Sequence, residues 1–156
     1  MRVHEIKPEI DADALLAGAQ FIDAFRITVD DSALDARRAA EKMMARSPRW
    51  MEALVALRNR LVAPFGLKTP VPTGTGADTI GIFPVLSETP SRLVAGLNDK
   101  HLDFRLVVDV ETAGHGQRVV ATTLVLTHNL LGRVYLAIIL PFHRPIVRAM
   151  LRQVAA

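Results

Sequence analysis

Alternation of apolar and polar residues in the second half of the chain predicts antiparallel strands. The longest alternating run spans residues 101–111, and its apolar members share one face: Leu102, Phe104, Leu106, Val108 and Val110. The opposite face is polar except for Val107, and it carries His101, Asp103, Arg105 and Asp109. A strand with one apolar face belongs to a sheet that is covered on one side.

Four further segments have strand character. Aromatic and β-branched residues predict strands over 20–29, 80–86, 92–96 and 118–127, and Pro84 indicates an edge or a bulge. The glycine-containing segment 112–117 is the predicted hairpin loop between the two longest strands. Short connections of this kind favour an antiparallel sheet.

Two short helices are predicted between the first strand and the rest of the sheet. The first covers residues 36–45, with Ser32 as its N-cap and Asp35 in its first turn. The second begins at Ser47 and Pro48 and ends before Pro64.

The chain ends in a predicted long helix that begins near residue 129. Seven residues form its predicted apolar face, within roughly 80° of one another: Leu131, Tyr135, Ile138, Phe142, Ile146, Ala149 and Gln153. Four arginines gather on another side: Arg133, Arg144, Arg148 and Arg152. Pro141 predicts a kink, and an alternative interpretation makes residues 134–140 a final strand with the helix starting at Pro141.

This order of elements predicts the α+β class. We expect a curved antiparallel sheet gripping a long C-terminal helix, with two short helices after the first strand, in one domain spanning residues 1–156. A curved sheet wrapped around a helix leaves room for a pocket between the two, and concave sites of this kind bind small apolar ligands.

Composition narrows the class of protein. Half of the 156 residues are hydrophobic and 22% are charged, which is typical of a globular protein. The absence of cysteine excludes disulfides, thiolate metal sites and a cysteine nucleophile, and it favours a cytoplasmic location. The net charge of +3 comes with arginines spread along the chain and few aromatic residues, so we expect no nucleic-acid partner.

The apolar stretch 134–142 is shorter than the roughly 18 residues that a membrane span needs, so no transmembrane segment is expected. We predict no cofactor and no metal site, and a homodimer remains open.

Two groups of polar residues could form a binding site. One group shares a strand face and consists of His101, Asp103 and Arg105. It is either a cluster that binds an anionic ligand or a solvated face with a cross-strand ion pair. Tyr135 and His143 on the terminal helix could line a pocket and bind the polar head of a ligand, or act as acid and base.

Three more residues complete the candidate ligand site, for which no catalytic residue is assigned. Phe142 and Phe104 supply apolar contacts to a ligand in the predicted pocket. Arg58 holds an acidic ligand or pairs with Glu88 or Asp99. His128 and Asn129 are interpreted as a helix cap.

Four segments resemble a bacterial family of unknown function, family 2867. They are FIDAF at 21–25; LRNRLV at 57–62 with FGL at 65–67; NDKHLDFR at 98–105; and HN at 128–129 with GRVY at 132–135 and PFH at 141–143. The resemblance implies a START-like fold (the SRPBCC or Bet v 1-like helix-grip fold), and it implies no reaction.

The predicted function is a module that binds a small hydrophobic molecule or lipid between the sheet and the C-terminal helix. The first alternative is an enzyme acting on such a molecule, with Tyr135, His143 or His101 as acid or base. The second is an interaction protein that presents its arginine-striped helix to an acidic partner or a membrane surface.

Overall fold

The computed structural model describes residues 3–31, 33–45, 56, 60, 79–80, 83–98, 102–114 and 116–155. Seven strands are described: β1 (His4–Ile6), β2 (Phe21–Val29), β3 (Thr79–Ile80), β4 (Phe83–Glu88), β5 (Arg92–Asn98), β6 (Leu102–Ala113) and β7 (Gly116–Thr127). Three helices are described with them: α1 (Ala12–Leu15), α2 (Ala36–Met44) and α3 (Leu130–Val154).

All seven strands belong to one antiparallel sheet, in the order β1-β2-β7-β6-β5-β4-β3. The predicted α+β class, the antiparallel sheet and the long C-terminal helix are confirmed. The predicted strands match β2, β5, β6 and β7 closely, whereas the single strand predicted over 80–86 is replaced by β3 and β4, which pair with each other. The bulge indicated by Pro84 lies between Val85 and Ser87. The hairpin is tighter than predicted, because strand pairing continues as far as Ala113 with Gly116. Gly114 lies in the turn with φ 62°.

The beginning of the chain holds two elements that were not predicted. The three-residue β1 pairs with the middle of β2, and the four-residue α1 follows it. Neither element is long enough to show a clear periodicity, so the sequence pattern carries little signal for them.

The cap of α2 differs from the prediction. Asp35 is the N-cap residue, and its side-chain carboxylate accepts a hydrogen bond from the Arg38 backbone N–H at 2.8 Å. Ser32 lies outside the described residues, as does most of the predicted second helix, of which Ala56 and Arg60 are described as helical.

The terminal helix α3 is unbroken from Leu130 to Val154, so the alternative in which residues 134–140 form a strand is wrong. Asn129 caps it as predicted, since its side chain accepts a hydrogen bond from the Gly132 backbone N–H at 3.0 Å. The kink near Pro141 stays a prediction.

The predicted apolar face of α3 is wrong in its orientation. Ile138 and Phe142 are exposed, and the buried residues of the helix are Gly132, Val147, Met150, Leu151 and Val154. The centre of these residues lies roughly 120° around the helix from the centre of the predicted face. The first half of α3 is apolar around most of its circumference, so its pattern alone does not define which side meets the sheet.

The inner face of the sheet carries the main core. The predicted apolar face of β6 packs there, and register places the inward residues of β2 and β7 beside it. The fully buried members of this core include Phe25, Ile27, Val108, Val119, Ala121 and Leu151.

A second, smaller core lies on the outer face of the sheet, and it explains the position of Val107. This residue is fully buried with Leu16, Val94 and Leu124, and apolar residues of the α1 region pack against them. The one apolar residue on the polar side of the predicted strand is therefore a contact for the N-terminal segment, which covers this part of the sheet.

Candidate functional site

The two halves of α3 have different environments. Its second half is anchored in the main core by Val147, Met150, Leu151 and Val154. Within residues 130–142, Gly132 is the one buried residue. Tyr135 is half-buried, whereas Phe142 is 47% exposed. The first half of the helix therefore carries apolar surface that the described residues do not fully cover.

The end of the sheet that holds Phe21 and Leu102 also carries partly exposed apolar side chains. Phe21, Leu102 and Phe104 project from its inner face and are only half-buried. Register aligns Phe21 and Phe104 on either side of Val125 in β7. Phe104 still touches the main core, so it lies at the boundary between packed and partly exposed apolar surface.

A buried histidine–carboxylate pair joins α3 to the sheet at this boundary. His143 Nε2 lies 3.0 Å from Asp23 Oδ1 and 2.9 Å from Asp23 Oδ2. The two side chains are only 13% and 9% exposed. The Phe21 ring meets the imidazole edge to face, with 5.4 Å between ring centroids. The pair thus has one polar contact and one aromatic wall.

One oxygen of Asp23 is short of hydrogen-bond donors. His143 Nε2 lies within hydrogen-bonding distance of both oxygens, and the buried Oδ2 has no other donor among the described residues. Buried polar atoms are normally satisfied, so an unsatisfied carboxylate oxygen calls for a physical explanation such as a missing ligand or water.

Asp23 was missed as a candidate residue, although the sequence holds a signal for it. It alternates with Phe21, Phe25 and Ile27, which places a carboxylate on the apolar side of the predicted strand. A carboxylate in that position needs a partner, because burial of an unpaired charge is costly. The identity of the partner could not be read from the sequence, since Asp23 and His143 are 120 residues apart.

The candidates on the outer face of the sheet that the structure describes contact neighbouring residues. Asp103 lies 3.0 Å from His128 Nε2, and Arg105 donates a hydrogen bond to the Phe104 backbone carbonyl at 2.9 Å. His101 and Arg58 lie outside the described residues, and Glu88, one partner considered for Arg58, pairs with Arg37 at 3.0 Å.

Cross-strand ion pairs are also present on the outer face. Arg92 donates to Asp109 at 2.6 Å, and Arg118 lies 2.8 Å from Glu111. The hydrogen bond that Arg92 donates to the Asp109 carboxylate raises the pKa of Arg92 above its ordinary value. This pattern matches the interpretation of a solvated face with cross-strand pairs more closely than that of an anion-binding cluster.

A cleft of ≈ 500 Å³ opens on the same outer face, between the N-terminal segment and the sheet. Ile6 and Ile10 line one side, and the Arg92–Asp109 pair lines another. The buried Thr122 hydroxyl at its floor has no hydrogen-bond partner among the described residues. This cleft lies on the opposite side of the sheet from α3, so it is not the predicted pocket.

No group of three or more histidine, aspartate or glutamate side chains in the described part of the chain could hold a metal ion.

The architecture defines the class of protein. It is an α+β protein with a helix-grip arrangement, in which one face of an antiparallel sheet packs against a long C-terminal helix. The chain belongs to the family described as "Protein of unknown function (DUF2867)", whose family model matches residues 15–150. No curated protein matches the chain.

Two solved structures show a distant similarity to the chain. The crystal structure of Ara h 8.0201 has 10% sequence identity and a TM-score of 0.40, over 86% of this chain and 98% of that one. The crystal structure of CalU16 from Micromonospora echinospora has 11% identity and a TM-score of 0.33, over 84% and 83% respectively. Because both scores are low, the description of the fold rests on the strand order and the terminal helix of this chain.

Proposed function

We propose that the protein binds a small, largely apolar molecule between the inner face of the sheet and the first half of α3. One observation carries the proposal: both elements hold half-buried apolar side chains, and one of these, Phe21, packs against a buried Asp23–His143 pair that joins the two elements. The family is of unknown function, so the proposal rests on these residues.

The energetic argument concerns the partly exposed apolar side chains. Phe21, Leu102 and Phe104 on the sheet, with Tyr135 on the helix, each retain contact with solvent. Covering the remaining surface of one such side chain contributes about 1 kcal/mol. Several of them together supply the apolar wall that small-molecule sites use for affinity.

The polar end of the ligand is defined by Asp23. Its buried Oδ2 atom has no donor besides His143 Nε2 among the described residues, so a ligand hydroxyl could donate one further hydrogen bond to it. A carboxylate head would instead bring a second negative charge beside the same oxygen, which is unfavourable in a buried site. We therefore expect a long-chain alcohol to bind better than the carboxylate of equal chain length.

The experiment compares dodecanol with dodecanoate as displacers of a fluorescent apolar dye. Dodecanol is expected to displace the dye at a concentration about tenfold lower, since one hydrogen bond to a charged acceptor distinguishes the two. In the Asp23→Asn variant the preference should shrink, because a neutral amide no longer repels the carboxylate.

The matched control is Leu86→Ser, which removes an exposed apolar side chain on β4 and should leave both affinities unchanged. Failure of either compound to displace the dye, or an equal preference in wild type and Asp23→Asn, would contradict the proposal. A catalytic role for Tyr135, His143 or His101 stays a prediction of the sequence.

A further inference from the structure

An apolar stripe runs along the solvent side of the first half of α3. Its four members follow one another at intervals of four residues: Leu130, Val134, Ile138 and Phe142, which are 72%, 45%, 37% and 47% exposed. This apolar stripe spans about 18 Å along the helix axis. Large apolar side chains are rarely exposed in such a row unless the surface contacts something else.

The charges on the same helix all have one sign. The sequence of α3 contains four arginines and no aspartate or glutamate. Arg133 and Arg144 lie roughly 60° or less to one side of the start of the apolar stripe, and both are exposed. Arg152 continues the basic surface along the second half of the helix.

Two of the arginines already have contacts within the protein. Arg144 lies 3.6 Å from Glu5, but its side chain is 66% exposed, so screening by water keeps this pair weak. Arg148 stacks on the buried Phe25 ring at 5.4 Å, and the contact holds its guanidinium near the sheet. The surface available to a partner is therefore the apolar stripe together with Arg133, Arg144 and Arg152.

We propose that the apolar stripe and the exposed arginines of α3 dock the protein on the surface of a membrane that contains anionic lipid. An interfacial helix places apolar side chains at the boundary of the acyl chains and its basic residues among the phosphates. Both requirements are met by one face of α3. This inference is independent of the proposed ligand, because the stripe points away from the buried face of the helix.

The same face is poorly suited to a second copy of this chain. If two copies of α3 packed along their stripes in parallel, the arginines of one helix would approach the arginines of the other. If they packed antiparallel, the arginines of one helix would approach the apolar residues of the other. Neither arrangement supplies a carboxylate from the partner helix, since α3 contains none. An anionic lipid surface complements the apolar and basic parts at once.

Insertion across the membrane fits the structure less well than surface docking. By length and composition α3 could cross a bilayer, with 25 residues and a mean hydropathy of 1.4 over its most apolar 18-residue window. Crossing would, however, withdraw Met150 and Leu151 from the core and place Arg144 in the hydrocarbon region. A docked helix keeps its buried side on the sheet.

The test is flotation of the purified protein with vesicles of phosphatidylcholine and phosphatidylglycerol in equal amounts, against vesicles of phosphatidylcholine alone. We expect the wild type to float with the anionic vesicles and to be released by 1 M salt, which screens exposed charges. Binding should fall about tenfold in Phe142→Ser and about fivefold for each arginine lost in Arg133→Gln and Arg144→Gln.

The matched controls remove equivalent groups elsewhere on the surface. Leu86→Ser takes away an exposed leucine on β4, and Arg38→Gln takes away an exposed arginine on α2. Both variants should float like the wild type.

Three results would overturn the proposal. The first is equal flotation with neutral and anionic vesicles, or none with either. The second is wild-type binding by the stripe variants, and the third is retention on vesicles through high salt and alkaline carbonate, as a spanning helix shows. A dimer that dissociates on Phe142→Ser in the absence of lipid would assign the stripe to a second copy instead.

Discussion

The first half of α3 is richer in apolar residues than the second half, yet it is the less buried of the two. The second half places Val147, Leu151 and Val154 in the main core, whereas the first half buries Gly132 alone and leaves larger side chains partly exposed. The difference shows that the number of apolar residues in a helix segment does not by itself predict how much that segment stabilises the fold. One half holds the helix on the sheet, and the other presents the apolar surface that we propose for binding.

The largest expected effect is at the anchored end of the helix. Leu151→Ala removes a fully buried side chain from the main core and should lower the free energy of unfolding by about 3 kcal/mol. Urea unfolding followed by circular dichroism measures the change. Leu130→Ala, at the exposed end of the same helix, is the matched control and should change it by less than about 0.5 kcal/mol. Similar losses in the two variants would remove the distinction between the halves.

The second prediction concerns the junction of the two halves. His143→Ala leaves the buried Asp23 carboxylate without its partner, so the free energy of unfolding should fall by about 2 kcal/mol. Asp23→Asn in the same background should recover part of the loss, because it removes the unpaired charge. The comparison uses equilibrium unfolding at neutral pH. A double variant less stable than His143→Ala would argue against an unpaired buried carboxylate as the cause of the loss.

A smaller effect is expected at the beginning of α3. Asn129→Ala removes the side-chain cap on the Gly132 N–H and should cost about 1 kcal/mol. Asn129→Asp retains an acceptor and serves as the control. Thermal unfolding of the three proteins gives the ranking, and an unchanged midpoint in Asn129→Ala would show that the first turn contributes nothing to folding.

The smallest expected effect lies on the apolar stripe itself. Phe142→Ser exchanges a side chain that is 47% exposed, so stability should change by no more than about 0.5 kcal/mol. The same urea experiment measures it. A loss as large as that of Leu151→Ala would mean that the side chain is packed in the folded protein, and the stripe would no longer be a free surface.

The fold could be predicted from the sequence where the pattern was long and two-sided. Alternation over 101–111 identified β6 and the side of it that meets the core, and Asn129 was recognised as a cap. The pattern failed at α3, where apolar residues surround the first half and leave its orientation to tertiary packing. The short β1 and α1 had too few residues to show any period.

The candidate site was predicted in part. His143 was named as a polar residue of the inner site, but its partner was not, because the pairing of Asp23 with it depends on the docking of α3 onto β2. Phe104 and Tyr135 lie half-buried near this region, whereas Phe142 points to solvent. Asp103 was expected beside His101 and Arg105, and the structure pairs it with His128.

Hydrogen exchange with and without dodecanol tests the central claim most directly, because it reports the two halves of α3 separately. We predict that dodecanol slows exchange in residues 130–142 and in β2 around Asp23, and leaves residues 147–154 unchanged because they are already packed. Equal protection along the whole helix, or protection confined to the outer-face cleft near Ile6 and Thr122, would contradict the account.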